Sequence, residues 1–331
     1  MTSSNSIQSV FLEQIRAKLA PNLSFSDELA EILSISRDSA YRRIRGETVL
    51  SLDEAKILCN RYDVSLDGLL MPATDRVSLQ LKAVNSSNFS FETWLKGFIN
   101  YLEMIGSAPD GEMIWHAKDL PIFHYFQFPR LSAFKMYFWM KSFLKDVKYA
   151  NGKYSQSLIT KDLIALGEKV WAKYAAINST EIINYEILNV TLRQIEFAQD
   201  CGMFEKNDEA QYLCDDCLKL VLNLKAQSKL GAKRTFGETD GGGKFVLYLD
   251  EVLIGDNTVL VKGGGKRMTV ITHNNFNLLT TSQESFCQLT EDHFDNMFSK
   301  SMLISQTAEK ERSKFFNEME EKILEVKRLL G

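Results

Sequence analysis

The chain has 331 residues with 39 basic and 43 acidic side chains, a formal charge of −4, and 45% hydrophobic residues. At about 150 residues per domain that length predicts two or three domains, each able to bury a core. A slightly acidic chain is not drawn to nucleic acid as a whole, so any such attraction must come from a local patch. No stretch approaches the roughly 18 apolar residues that span a bilayer, and the start of the chain lacks the basic and apolar segments of a secretory leader. The five cysteines, Cys59, Cys201, Cys214, Cys217 and Cys287, are odd in number and scattered, which argues against a disulfide framework and for a reducing compartment. A soluble cytoplasmic protein with no membrane partner is expected.

Residues 7 to 19, IQSVFLEQIRAKL, place Ile7, Val10, Phe11, Ile15 and Leu19 at helical spacing. In FSDELAEILSIS, Ser26 is expected as N-cap, Asp27 and Glu28 occupy the first turn, and Leu29, Ile32 and Leu33 form the apolar stripe. A third helix is expected from an N-cap at Ser36 to Gly46, the residue just past its end, with only SIS separating it from the second. On its wheel Ala40 and Ile44 share one face. Asp38, Ser39, Arg42 and Arg45 point away from that face, and Arg37, Tyr41 and Arg43 lie on the flanks. SLDEAKILCNRY predicts a fourth helix with a Ser51–Glu54 capping box, and VSLDGLL a short fifth.

Two short helices joined by a tight turn, the second with an outward basic face, suit the major groove of DNA. Residues 29 to 70, LAEILSISRDSAYRRIRGETVLSLDEAKILCNRYDVSLDGLL, resemble the lambda-repressor-like (Cro and xenobiotic-response-element type) helix-turn-helix family. With the preceding helices the resemblance spans about residues 7–71, one fifth of the chain. The resemblance implies that Ser26 touches a backbone phosphate and that Arg37, Asp38 and Arg42 meet base edges. Arg45 and Thr48 would lie near phosphates as the chain leaves the groove, and Ser39 and Arg43 complete the candidate set. Arginine can take guanine O6 and N7 as a pair, and a carboxylate can accept from cytosine N4. One departure stands out: Arg43 occupies a position that is usually apolar in the family, with Ile44 one place later.

PATDRVSLQLKAVNSSNFS, residues 72 to 90, mixes Pro, Ser and Asn and reads as a linker, with VSLQLKAV as a short strand or extended arm. From 91 to 233 the periodicity is helical, in about five long amphipathic segments, the fourth being STEIINYEILNVTLRQIEFAQDCGMF. The aromatic run IFHYFQFPRLSAFKMYFWMKSF reads as core, with a pocket or a subunit interface as the sharper alternative. Cys214 and Cys217 have the spacing of a metal pair but lack a second pair and sit on an apolar stripe, so packing is expected and no metal.

After residue 234 the period changes. KFVLYLDEVLI, TVLVKG and RMTVITHNNFNLLTT predict consecutive strands joined as antiparallel hairpins, with turns at GDN and GGG, and two helices follow. The glycine clusters do not form a phosphate loop, since neither is followed by Lys and then Ser or Thr. Flexible hairpin turns are expected at these clusters, with anion or DNA-backbone contact by Lys262, Lys266 and Arg267 as the lesser reading. His116, His124, His273 and His293 fall in no catalytic motif.

The sequence thus predicts a mainly α protein: a helix-turn-helix bundle (1–72), a linker (73–90), a helical dimerisation and sensing domain (91–233), and a small C-terminal antiparallel sheet with flanking helices (α+β, 234–331). The expected function is transcriptional regulation by a homodimer that binds double-stranded DNA and answers to an unidentified small-molecule or protein effector, with no catalytic residues and no cofactor. The competing classes are a protein-interaction adaptor built on the same fold and a DNA-tethered enzyme.

Overall fold

The computed structural model describes residues 6–19, 23–70, 77–82, 84, 89–116, 118–144, 149, 151–251, 257–273 and 276–331. The protein is mainly α, 57% helical, with twelve helices and one eight-stranded sheet among the described residues. It divides into two compact units, residues 1–78 and 79–331.

The first unit contains α1 (Ile7–Arg16), α2 (Phe25–Leu33), α3 (Arg37–Ile44), α4 (Leu52–Tyr62) and α5 (Asp67–Leu70). Its core is Phe11, Leu12, Ile15, Leu29, Ala40, Ala55, Leu58 and Val64, drawn from the first four helices and the turn after α4. Ser34 ends α2 in the left-handed region at φ 52°, and the Ile35 amide donates to the Ala30 carbonyl. Ser36 then caps α3 by accepting from the Ser39 amide. At the other end of α3, Gly46 at φ 77° donates to the Arg43 carbonyl while the Glu47 amide donates to that of Arg42, a Schellman closure. The expected capping box at Ser51 and Glu54 is present. The expected cap at Ser26 is not. Ser24 stands at the N-cap of α2, and Ser26 lies one residue inside the helix with only 4% of its surface exposed.

The second unit is organised by one sheet in the order β1 (Gln80–Lys82), β7 (Asn277–Thr281), β6 (Lys266–His273), β5 (Thr258–Gly263), β2 (Glu112–His116), β3 (Asn178–Ile183), β4 (Phe245–Leu249), β8 (Met302–Leu303). β3 runs parallel to both β2 and β4, and the remaining pairings are antiparallel. The helices are α6 (Phe91–Ser107), α7 (Pro129–Ser142), α8 (Lys161–Ala176), α9 (Asn189–Asp200), α10 (Glu209–Leu230), α11 (Glu284–Lys300) and α12 (Glu309–Leu329).

Strand alternation sorts the two faces of the sheet. Met113, Ile183, Phe245, Leu247, Val259 and Val261 join the large core with residues of α6 to α10 and α12. Ile114, Ile182 and Leu260 face the other way, onto Cys287, Phe294 and Met297 of α11. Both faces are therefore covered.

This sheet corrects the expected division at residue 233. β2 and β3 lie inside the segment read as wholly helical, and they are the central neighbours of β5 and β4, so residues 91–331 share one sheet. The fourth expected helix starts instead as β3, with α9 only from Asn189. The hairpin β5–β6 forms as expected, the run RMTVITHNNFNLLTT divides into the antiparallel pair β6 and β7, and β4 is separated from β5 by β3 and β2. Of the turn expected at residues 255–257, the first two residues lie outside those described. The expected linker 73–90 contains β1, paired with β7, and residues 73–76, 83 and 85–88 also lie outside those described. The triple glycine 241–243 is no flexible turn. A Cβ on Gly243 would collide with the Ile177 carbonyl, so only glycine lets the chain pass that close to the corner between α8 and β3.

One polar cluster is buried in this core. His124 Nε2 lies 3.0 and 3.1 Å from the two Glu181 oxygens, and Tyr174 donates its hydroxyl to the same carboxylate. Burial alone would raise the Glu181 carboxyl, but His124, Tyr174 and Lys233 outweigh it and hold it below the usual range. Lys233 in turn donates to the Tyr174 and Ile177 carbonyls.

Candidate nucleic-acid interface

The exposed surface of α3 follows from its anchoring. Ala40 is fully buried and Ile44 packs against the same core, so the opposite side of the helix faces solvent. The arginines of that helix divide into two kinds. The side chains of Arg37, Arg42 and Arg45 are 61, 55 and 59% exposed, whereas that of Arg43 is 15% exposed. Asp38 is exposed, and Ser39 and Thr48 are partly so.

Each exposed arginine has a carboxylate near it. Arg37 Nε lies 2.8 Å from Asp27, Arg45 Nε 3.2 Å from Glu47, and Arg42 Nε 3.8 Å from Glu47. Pairs this exposed are worth about 0–1 kcal/mol, so a phosphate or a base edge can displace them. The Arg37 guanidinium also sits 5.9 Å from the Tyr41 ring centre. The Ser26 hydroxyl and the Arg37 guanidinium beside Tyr41 lower its hydroxyl below the usual range.

Arg43 is not part of this surface. Its guanidinium forms a two-pronged pair with Glu54, at 2.7 and 3.3 Å, and donates to the Ser39 carbonyl at 3.2 Å. Burial raises the Glu54 carboxyl, but Arg43 and the Ser51 amide overcome that and hold it below its ordinary value. The residue that replaces the usual apolar side chain thus brings its own counterion from α4. Ser26 is likewise removed from a phosphate contact: it is buried, and its hydroxyl lies 3.1 Å from that of Ser24. Ser24 is exposed at the start of α2 instead.

The sequence reading missed the side chain that fixes the exit from α3. Gln8 on α1 donates to the Arg43 and Thr48 carbonyls, each at 2.8 Å, and accepts from the Leu50 amide at 2.8 Å. One amide group therefore satisfies three backbone groups of the segment that carries Arg45 and Thr48. Nothing in helical periodicity marks such a residue, because its partners are 35 to 42 positions away.

Lys262 and Arg267 are tied to Glu291, and Arg267 also to Glu284, both carboxylates on α11. Lys262, with burial opposing it and Arg267 assisting, holds the Glu291 carboxyl low. Of that expected anion-binding trio only Lys266 is left exposed, at the tip of the β5–β6 hairpin. Cys214 and Cys217 are both fully buried in α10. Among the described residues no helix is long and apolar enough to cross a membrane.

Neither a family model, nor a curated protein, nor a solved structure matches this chain.

Proposed function

We propose that residues 1–78 form a DNA-reading unit of the helix-turn-helix kind, and that the chain acts in the cytoplasm as a homodimeric transcriptional regulator. The observation that carries this reading is the build of α2 and α3. A three-residue turn joins them, Ala40 and Ile44 pin the second helix, and Arg37, Asp38, Arg42 and Arg45 remain on its outer face. Such a rod fits the major groove, where its side chains reach base edges. Val49 and Leu52, just after α3, are 79 and 83% exposed, an apolar pair that suits contact with a second copy on the neighbouring half-site. Five cysteines scattered along the chain suit a reducing compartment.

The test is selection from a random duplex pool with the intact protein, followed by titration of the recovered sequence against salt. Phosphate neutralisation by the basic face would make log affinity fall linearly with log salt, by about 0.9 for each phosphate engaged. A pool that yields no enriched motif ends this reading.

The charge of the unit favours one second reading. Residues 1–78 hold 11 acidic and nine basic side chains, a balance of −2, which also suits a face that meets a basic protein partner. That adaptor would show no duplex binding at low salt.

A further inference from the structure

A cavity of about 210 Å³ lies within the second unit, lined by Trp94 and Phe98 of α6, Trp115 of β2, Trp139 and Lys135 of α7, and Phe276. The rings meet edge to face, with Trp94 and Phe98 centred 4.6 Å apart, Trp139 and Phe276 5.2 Å apart. Its size falls between a void that holds one benzene and an ordinary small-ligand pocket, so it accommodates one or two fused rings. Two lining residues, Phe143 and Val190, are 47 and 42% exposed and mark its opening.

Polar groups reach this apolar chamber without full satisfaction. Lys135 is buried; its ammonium donates to Thr191 at 3.0 Å and Gln194 at 3.1 Å, which uses two of its three hydrogens. Asp119 stands 3.8 Å away, too far for a hydrogen bond with the third. The Tyr101 hydroxyl, on the same wall, is buried with no hydrogen-bond partner among the described residues. Buried polar groups are normally paired, and an unfilled void costs stability in proportion to its volume, so the chamber has the features of a site whose occupant supplies the missing atoms.

The charges restrict that occupant. Lys135 and Asp119 compensate one another, and an added anion would leave net negative charge in an apolar enclosure. Burial already lowers the Lys135 ammonium and raises the Asp119 carboxyl, each toward its neutral form.

We infer that this chamber is a binding site for an uncharged aromatic molecule of one or two rings carrying an oxygen acceptor, which lies among Trp94, Trp115 and Trp139 and takes the remaining hydrogen of Lys135. The site does not depend on what the first unit binds, and its test needs no DNA.

Three of the four tryptophans of the chain line the cavity, so emission reports occupancy directly. The full chain is titrated with 1-tetralone, with tetralin, which has the same rings and no acceptor, and with tetralin-1-carboxylate, by calorimetry and tryptophan emission. Tetralone is expected to bind one per chain, and tetralin roughly tenfold more weakly for want of the hydrogen bond to a charged donor. The carboxylate is expected to bind more weakly than the ketone. Val190→Trp, at the opening, should abolish tetralone binding without disturbing the core. Lys135→Met, with its fold checked by near-ultraviolet dichroism, should erase the difference between tetralone and tetralin; if that variant fails to fold, Val190→Trp and the three probes still decide the matter. No saturable signal with tetralone, binding undiminished in Val190→Trp, or a carboxylate that binds more tightly than the ketone would each overturn the assignment.

Discussion

Arg42 and Arg43 are neighbours with the same side chain and opposite environments. Arg42 is more than half exposed beside an exposed Glu47, and Arg43 is folded against Glu54. Arg42→Ala is therefore expected to leave thermal stability unchanged and to relax base preference at one or two positions, by about 1–3 kcal/mol in a mismatch series. Arg43→Ala should do the reverse. It strands a partly buried carboxylate, lowers stability by about 1–3 kcal/mol, and weakens all duplexes alike. If Arg43→Ala changed base preference at unchanged melting temperature, the division between the two arginines would be wrong.

The same pair sets a pH dependence. The Glu54 carboxyl is held below its ordinary value of 4.5, so the native state binds its proton less readily than the unfolded chain does. Its contribution is fully present above that ordinary value and is lost as pH falls through the lower, native value. Urea titrations between pH 7 and 3 should show this acid loss in the wild type and a smaller one in Arg43→Ala.

Among the elements, α3 has both of its ends specified by its own sequence. Ser36 closes its start and Gly46 its finish, and no atom outside the immediate chain lies within 4 Å of a Cβ placed on Gly46. A substitution there meets no clash, only the cost of a left-handed conformation. Gly46→Ala should destabilise the first unit by about 1 kcal/mol and Gly46→Asn by less, measured by thermal melting. Equal stability of the glycine and alanine proteins would show that the Schellman closure does not hold in solution.

At the scale of the whole molecule, the sheet determines what can fold alone. β4 lies between β3 and β8, and β5 lies beside β2, so residues 234–331 by themselves would leave the edges of β4 and β5 unpaired and much of the large core uncovered. A fragment of residues 234–331 is expected to show no cooperative unfolding transition, and residues 79–331 to show one. A cooperative melt of the shorter fragment would restore the boundary at 233.

The sequence by itself determined what is written locally. The stops at Ser36 and Gly46, the Ser51–Glu54 box, the inward turn of Ala40 and the hairpin β5–β6 rest on residues at most a few positions apart, where cap geometry and side-chain period decide the outcome. Only the tertiary structure decided the rest. β3, NSTEII, is buried along nearly its whole length and carries a glutamate in the core, so it shows neither the alternation of a half-exposed strand nor an unbroken apolar run. Its partners are 66 residues away in β2 and β4 alike. Arg43 became structural through Glu54, Ser26 became buried through the packing of α2, and Gln8 acquired its role from backbone groups across the unit. Local preference fixes where a helix begins and which side it turns inward, but which charged group stays free is settled only when distant segments come together and supply, or withhold, its partner.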